Sequence, residues 1–142
     1  MKTKVILAVL ATTVAGFLLG WLIFGIALAD VYKTNTIFYQ GLMKDPPSFA
    51  GFIIGSLGFG VLIVYIFDRW ANIVTFLNGL LAGMLIYFLI VFSFDMFMYA
   101  GMNLFNGTLL IVDIIANTVL GGIVGGVAGW VLGMGKKEAA TQ

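Results

Sequence analysis

Acidic residues inside apolar segments are the groups of this 142-residue chain that could do chemistry, because a carboxylate in lipid needs a specific role. Asp95 interrupts the apolar run Ser93–Met98, and Asp113 lies about 7 Å inside a predicted helix at a rise of 1.5 Å per residue. Asp30 closes the first apolar segment, and Asn117 follows Asp113 by one helical turn. Carboxylate and amide oxygens are suitable ligands for hard cations. Asp95, Asp113 and Asn117, with Asp30 as a further candidate, therefore give the hypothesis of a polar niche for a cation or an amine.

Asp95 and Asp113 differ in their position relative to the helix dipole. Asp113 lies near a predicted helix N-terminus, which stabilises an anion by about 0.3–1 kcal/mol. It therefore has an alternative interpretation as an interfacial carboxylate held by the dipole and water. Asp95 lies towards a helix C-terminus, where the dipole disfavours an anion. The nearest cation in the sequence is Lys33, in the adjacent loop.

Other kinds of chemistry are excluded by composition. The chain has no Cys and no His, which removes thiol nucleophiles, disulfides, haem ligation by His and the usual zinc sites. No serine is followed by a recognisable base or nucleophile elbow, and no phosphate-binding GxxxxGK is present. A net charge of +1 without a basic cluster gives no argument for nucleic acid. We expect neither enzymatic activity nor a cofactor.

The solvent for this chain is lipid, since 62% of its residues are hydrophobic, 9% are charged and the mean hydropathy is +1.14. A membrane span needs roughly 20 apolar residues. The sequence predicts a single all-α domain, a polytopic bundle of four transmembrane helices at about 5–29, 49–67, 72–98 and 108–133.

Two segments near the N-terminus allow alternative interpretations. Ala27-Leu28-Ala29 resembles a signal-peptide cleavage site, but the apolar run is longer than the roughly 7–15 residues of a signal core, so we expect it to be retained. The loop from Asp30 to Pro47 carries the apolar patch Ile37-Phe38-Tyr39. This patch predicts either a short helix at the membrane interface or an ordered loop.

Positive charge is distributed unevenly between the two ends of the predicted spans. Lys33 and Lys44 lie at one end, and the opposite end carries five cations, Lys2, Lys4, Arg69, Lys136 and Lys137. Since cytoplasmic loops are enriched in Lys and Arg, both termini are predicted to be cytoplasmic.

Four glycines continue the spacing of Asp113 and Asn117 along the last span, at Gly121, Gly125, Gly129 and Gly133. Residues four apart form one slowly drifting stripe on a helix, and small residues allow close helix contact. The partner is predicted to be the Gly16/Gly20 face of the first span, the Gly51/Gly55 face of the second, or another copy of the chain. A glycine-lined pore wall is the alternative.

The glycine patterns of the first two spans are related by an offset of 35 residues, which pairs Ala15–Ile26 with Ala50–Val61. Consecutive spans run in opposite directions, so this resembles the inverted repeats of transporters. The alternative is convergence on small-residue spacing for helix packing. We favour convergence, because Gly79 and Gly83 of the third span lie out of register with the repeat.

The chain resembles a family of small, four-span bacterial membrane proteins of unknown function. The resemblance lies in the first span, Leu19-Gly20-Trp21-Leu22-Ile23-Phe24-Gly25 with Asp30 after it, and in the late motif Gly129-Trp130-Val131-Leu132-Gly133. It implies a location in the bacterial inner membrane and implies no activity.

Two functions are compatible with these observations. The first is a non-enzymatic packing or accessory subunit, surrounded by lipid, in a homo-oligomer or a larger membrane complex. The alternative is a small transporter or channel for a cation or small solute that uses the acidic niche near the non-cytoplasmic face.

Overall fold

The computed structural model describes residues 2–134, which are helical apart from connecting segments and one isolated β-bridge. In chain order the elements are α1 (Lys2–Gly20) with a π-helical extension (Trp21–Ala27), α2 (Ala29–Asn35), α3 (Phe49–Tyr65) with a π-helical extension (Ile66–Ala71), α4 (Phe76–Gly101) and α5 (Gly107–Gly133). Among residues 2–134, four helices are long and apolar enough to cross a membrane, which confirms the predicted all-α class and the four long apolar helices. Lys136 and Lys137 lie outside the described residues.

Side-chain caps set the starts of the last three spans. Ser48, Thr75 and Asn106 each accept a hydrogen bond from a backbone N–H three residues later, at 3.3, 3.3 and 3.0 Å. The third span was predicted to begin at residue 72, but Asn72 adopts a left-handed conformation with φ 47°. This conformation ends the preceding helix, and the next one begins after the Thr75 cap at Phe76.

The connection between α1 and α3 differs from the expected continuous loop. Its first part is α2, a short helix of seven residues, and residues 37–48 are not helical. Of the two interpretations of the patch Ile37-Phe38-Tyr39, the ordered loop is therefore correct and the helix is wrong. A helix forms instead just before the patch, where Thr34 and Asn35 donate side-chain hydrogen bonds to carbonyl groups one turn earlier.

Helix α5 is the central element of the bundle. It packs against α4 on one side and α1 on the other, and α1 packs against α3. The Lys4 ammonium donates a hydrogen bond to the Met134 carbonyl, so α1 begins where α5 ends. We call this the terminal end of the bundle, and the opposite end, which carries α2 and the turn 102–106, the loop end.

Glycines on both helices bring α4 and α5 into backbone contact. A Cβ atom at Gly83 would overlap the Gly121 carbonyl and lie 2.9 Å from the Gly125 Cα, and one at Gly79 would lie 3.2 Å from the Gly129 Cα. The predicted partners of the α5 stripe are therefore corrected. The stripe meets α4 of the same chain, and the Gly16/Gly20 and Gly51/Gly55 faces do not cover it.

The other contacts of that stripe are also with α4 or with the segment that precedes it. A Cβ atom at Gly133 would overlap the Val74 carbonyl, one at Gly129 the Thr75 carbonyl, and one at Gly121 the Tyr87 ring. The stripe is thus covered along its length, which also removes the pore-wall interpretation.

Helices α1 and α3 are in close contact only towards the terminal end. There a Cβ atom at Gly60 would lie 2.8 Å from the Thr13 hydroxyl, and Ala8, Ile63 and Phe67 are fully buried. These contacts bury apolar side chains against α1 and α5 and anchor the two helices.

Towards the loop end the same two helices separate. A Cβ atom at Gly20 or Gly55 would meet no atom within 4 Å, and one at Gly51 would meet only the Ser48 cap of its own helix. A Cβ atom at Gly16 would make an ordinary contact, at 3.7 Å, with the Val124 side chain of α5. The expectation that these four glycines form tight helix contacts is therefore not met within the chain, and they border an open groove.

The close α4–α5 contact predicts that one added methyl group at Gly83 lowers the stability of the protein. Gly83→Ala is expected to lower the free energy of unfolding by about 1–3 kcal/mol, because the atoms that the new Cβ meets are backbone and cannot rotate away. Thermal unfolding in lipid nanodiscs measures this change. Gly58→Ala is the control, since a Cβ at Gly58 meets nothing within 4 Å. Equal stability of the two variants would contradict the packing described.

Candidate functional site

The short helix α2 is held over the loop end by a set of hydrogen bonds that we call the clasp. The Asn106 side chain donates to the Asn35 Oδ1 at 2.7 Å, and the Asn106 N–H donates to the Asn35 carbonyl at 3.2 Å. The Ile37 N–H donates to the Leu104 carbonyl at 2.8 Å, and the Tyr39 hydroxyl to the Asn103 carbonyl at 2.8 Å. The clasp fixes α2 against the turn from which α5 begins.

This arrangement places a phenol directly on the first acidic residue of α5. The Tyr32 hydroxyl donates a hydrogen bond to one carboxylate oxygen of Asp113. The Asn117 side-chain amide donates to the other oxygen at 2.8 Å and to the Asp113 carbonyl at 3.0 Å. Both carboxylate oxygens of Asp113 are therefore occupied by donors from two different helices.

Asp95 reaches the same place from α4. Its carboxyl group interacts with that of Asp113, and its Oδ2 atom is buried without a hydrogen-bond partner among the described residues. Two adjacent carboxylates repel each other, and either a shared proton or a bound cation relieves the repulsion. We call the group of Tyr32, Asp95, Asp113 and Asn117 the acidic niche.

No positively charged side chain neutralises the acidic niche within the described part of the chain. The one ion pair there joins Asp68 and Arg69 at 3.9 Å, at the terminal end. Lys33, the nearest cation in sequence, is exposed on α2. Negative charge in the niche thus lacks a positively charged partner from residues 2–134.

The surroundings of Tyr32 keep its hydroxyl protonated, so that it remains a hydrogen-bond donor. Burial raises the pKa of its phenol far above the ordinary value, and the hydrogen bond to Asp113 and the nearby Asp113 and Asp95 charges raise this pKa further. Phe24 packs edge-on against the Tyr32 ring, with 5.8 Å between centroids and an interplanar angle of 82°. The phenol is therefore protonated at neutral pH and oriented towards Asp113.

The structure brings together three of the four predicted niche residues. Asp95, Asp113 and Asn117 meet, although Asn117 presents its amide N–H to Asp113 and not the oxygen ligand that was expected. Asp30 does not join them, because it is exposed on the first turn of α2. Sequence reasoning missed Tyr32, and its position two residues after Asp30 was the available signal.

An open groove lies beside the acidic niche, between α1 and α3. Its outer part is a cavity of about 440 Å³ whose lining includes Gly20, Trp21 and Phe49. Its inner part, of about 250 Å³, includes Gly55 and Asn117 in its lining. Gly16, Phe52 and Ser56 line both parts, so the groove is continuous and reaches the niche at Asn117.

Comparisons with known proteins give no further assignment. No protein-family model, no curated protein and no solved structure matches the chain. The family resemblance noted from the first and last spans thus stays a prediction.

The Tyr32–Asp113 hydrogen bond predicts a pH effect at alkaline pH. Because the pKa of Tyr32 is raised on folding, its contribution to stability is complete below the ordinary tyrosine pKa of about 10 and is lost as the pH rises above it. Thermal unfolding in nanodiscs across this range should show a steeper loss of stability in wild type than in Tyr32→Phe.

A second variant separates the causes of this effect. Asp113→Asn removes the carboxylate charge but leaves Tyr32 buried, so the alkaline loss should be intermediate between wild type and Tyr32→Phe. Parallel pH profiles for wild type and Tyr32→Phe would contradict the arrangement.

Proposed function

We propose that this chain is a non-enzymatic multi-pass membrane protein that binds a cation at the acidic niche and acts as a small transporter or channel. The observation that carries the proposal is the buried Asp95 oxygen, which has no partner among the described residues and lies beside the Asp113 carboxylate. Carboxylates inside spanning helices are costly and are typically placed on ion or proton pathways. A cation between the two groups would remove both the repulsion and the missing contact.

The accessory-subunit role expected from the sequence rested on the glycine stripe of α5 as a docking surface. Helix α4 of the same chain covers that stripe, which leaves it without a surface for an external partner. The geometry therefore favours the transporter or channel over the accessory subunit.

The orientation follows from charge. Lys4 and Arg69 lie at the terminal end, whereas Lys33 and Lys44 lie towards the loop end. The sequence-based count, five cations against two at alternate ends of the predicted spans, supports both termini in the cytoplasm of a bacterial cell and the acidic niche on the other side of the inner membrane.

Electrical recording on proteoliposomes tests this function. On a solid-supported membrane, addition of Na⁺, K⁺ or methylammonium, one at a time, should give a protein-dependent transient current with at least one of them. Asp95→Asn and Asp113→Asn should each reduce this current by about tenfold or more, since each removes a charged contact worth about 1.5–3 kcal/mol.

Asp30→Asn is the matched control for both variants. It removes a carboxylate from the same end of the bundle, but Asp30 is exposed and outside the niche, so its current should equal that of wild type. The proposal would be overturned if the wild-type protein gave no current with any of the three cations, or if Asp95→Asn and Asp113→Asn gave currents equal to that of wild type.

A further inference from the structure

The groove between α1 and α3 has the size and the walls of a ligand site. Its two parts, about 440 and 250 Å³, fall near the range of small-molecule pockets, which are mostly apolar with a few placed polar groups. The space between the walls is open at Gly20 and Gly55, where a Cβ atom would meet no atom within 4 Å. Pro47 and Phe49 lie at its outer end, near the start of α3.

The inner end of the groove presents a hydrogen-bond acceptor. Asn117 uses its amide nitrogen for both contacts with Asp113, and its side-chain oxygen accepts no hydrogen bond from the described residues. Asn117 also lines the inner cavity. A ligand in this cavity would therefore meet an oxygen acceptor backed by the Asp113 carboxylate, which favours a donor with a positive charge.

Aromatic rings around the inner cavity add to this preference. Phe52, Phe59 and Tyr87 line it, and the Phe59 and Tyr87 rings lie 5.0 Å apart between centroids. The faces of such rings attract organic cations. Neither part of the groove has a Lys or Arg in its lining, so nothing there repels a cation.

We infer that the groove binds an amphiphilic amine, whose ammonium group lies beside Asn117 and whose apolar chain extends past Phe52 and Trp21 towards Phe49. This inference rests on the proposed function and names the class of cation that it acts on. The lipid-facing side of the groove provides the route of entry for an apolar chain, and the neighbouring carboxylates supply the charge complementarity.

Fluorescence of Trp21 reports on the groove directly. In a Trp70→Phe, Trp130→Phe background, the protein in nanodiscs is titrated with dodecylammonium, with dodecanol as the uncharged probe of equal chain length. A saturable change with dodecylammonium is expected, with apparent affinity about tenfold or more above that for dodecanol, as a charge-assisted hydrogen bond contributes about 1.5–3 kcal/mol.

Two leucine variants on α3 locate the site. Gly55→Leu fills the inner cavity and should weaken dodecylammonium binding by about tenfold or more, since a filled cavity excludes the chain. Gly58→Leu is the matched control, because Gly58 also has open space around its Cβ position but lines neither cavity, and it should bind as wild type does.

The other outcomes separate a failure of the inference from a failure of the proposed function. Equal affinity for dodecanol would identify an uncharged lipid chain as the occupant, and a defined oligomer that Gly55→Leu alone disrupts would identify a second copy. Cation currents that survive in Gly55→Leu while wild type fails to bind dodecylammonium would overturn the amine but keep the proposed function. Saturable amine binding with currents unchanged in Asp95→Asn would overturn the proposed function and the role of the niche instead.

Discussion

The backbone contact between α4 and α5 is the constraint on which the rest of the structure depends. Gly79 and Gly83 of α4 lie against the α5 stripe so closely that no side chain fits between the helices. Because the two helices are antiparallel, this register continues towards the loop end and brings Asp95 level with Asp113. The packing glycines and the two aspartates thus belong to one interface. The helix packing sets the relative position of the Asp95 and Asp113 carboxyl groups, on which the proposed cation binding depends. A change of register by one turn would separate the carboxyl groups.

Between α1 and α3, glycine has two opposite effects on helix packing. At Gly60 it allows α1 and α3 to touch, whereas at Gly20 and Gly55 it leaves space that no neighbouring side chain fills. The same residue type therefore allows close contact at one end of the α1–α3 pair and leaves open space at the other, depending on whether a partner helix is near. Tyr32 of α2 connects the groove with the acidic niche. Phe24 lines the groove and packs against the Tyr32 ring, and the Tyr32 hydroxyl donates a hydrogen bond to Asp113.

Much of this architecture could be predicted from composition and spacing, but the helix partners could not. The four spans follow from long apolar runs, and the meeting of Asp113 with Asn117 follows from their four-residue spacing. Gly79 and Gly83 were not predicted as partners of the α5 stripe, because they lie out of register with the sequence repeat. Contact between antiparallel helices depends on the depth of each residue in the membrane and not on a sequence offset. Tyr32 was missed because α2 is held by contacts such as Asn35–Asn106, between residues 71 positions apart, which no local pattern reveals.

The central claim is that Asp95 and Asp113 act as one unit, and a double-mutant cycle on the free energy of unfolding in nanodiscs tests it most directly. Asp95→Asn, Asp113→Asn and the double variant are compared, with Asp30→Asn as the distant reference. Coupled carboxyl groups should give an interaction energy above about 0.5 kcal/mol, because removing the first acid changes what the second contributes. Effects of Asp95→Asn and Asp113→Asn that add within about 0.3–0.5 kcal/mol would contradict a shared site.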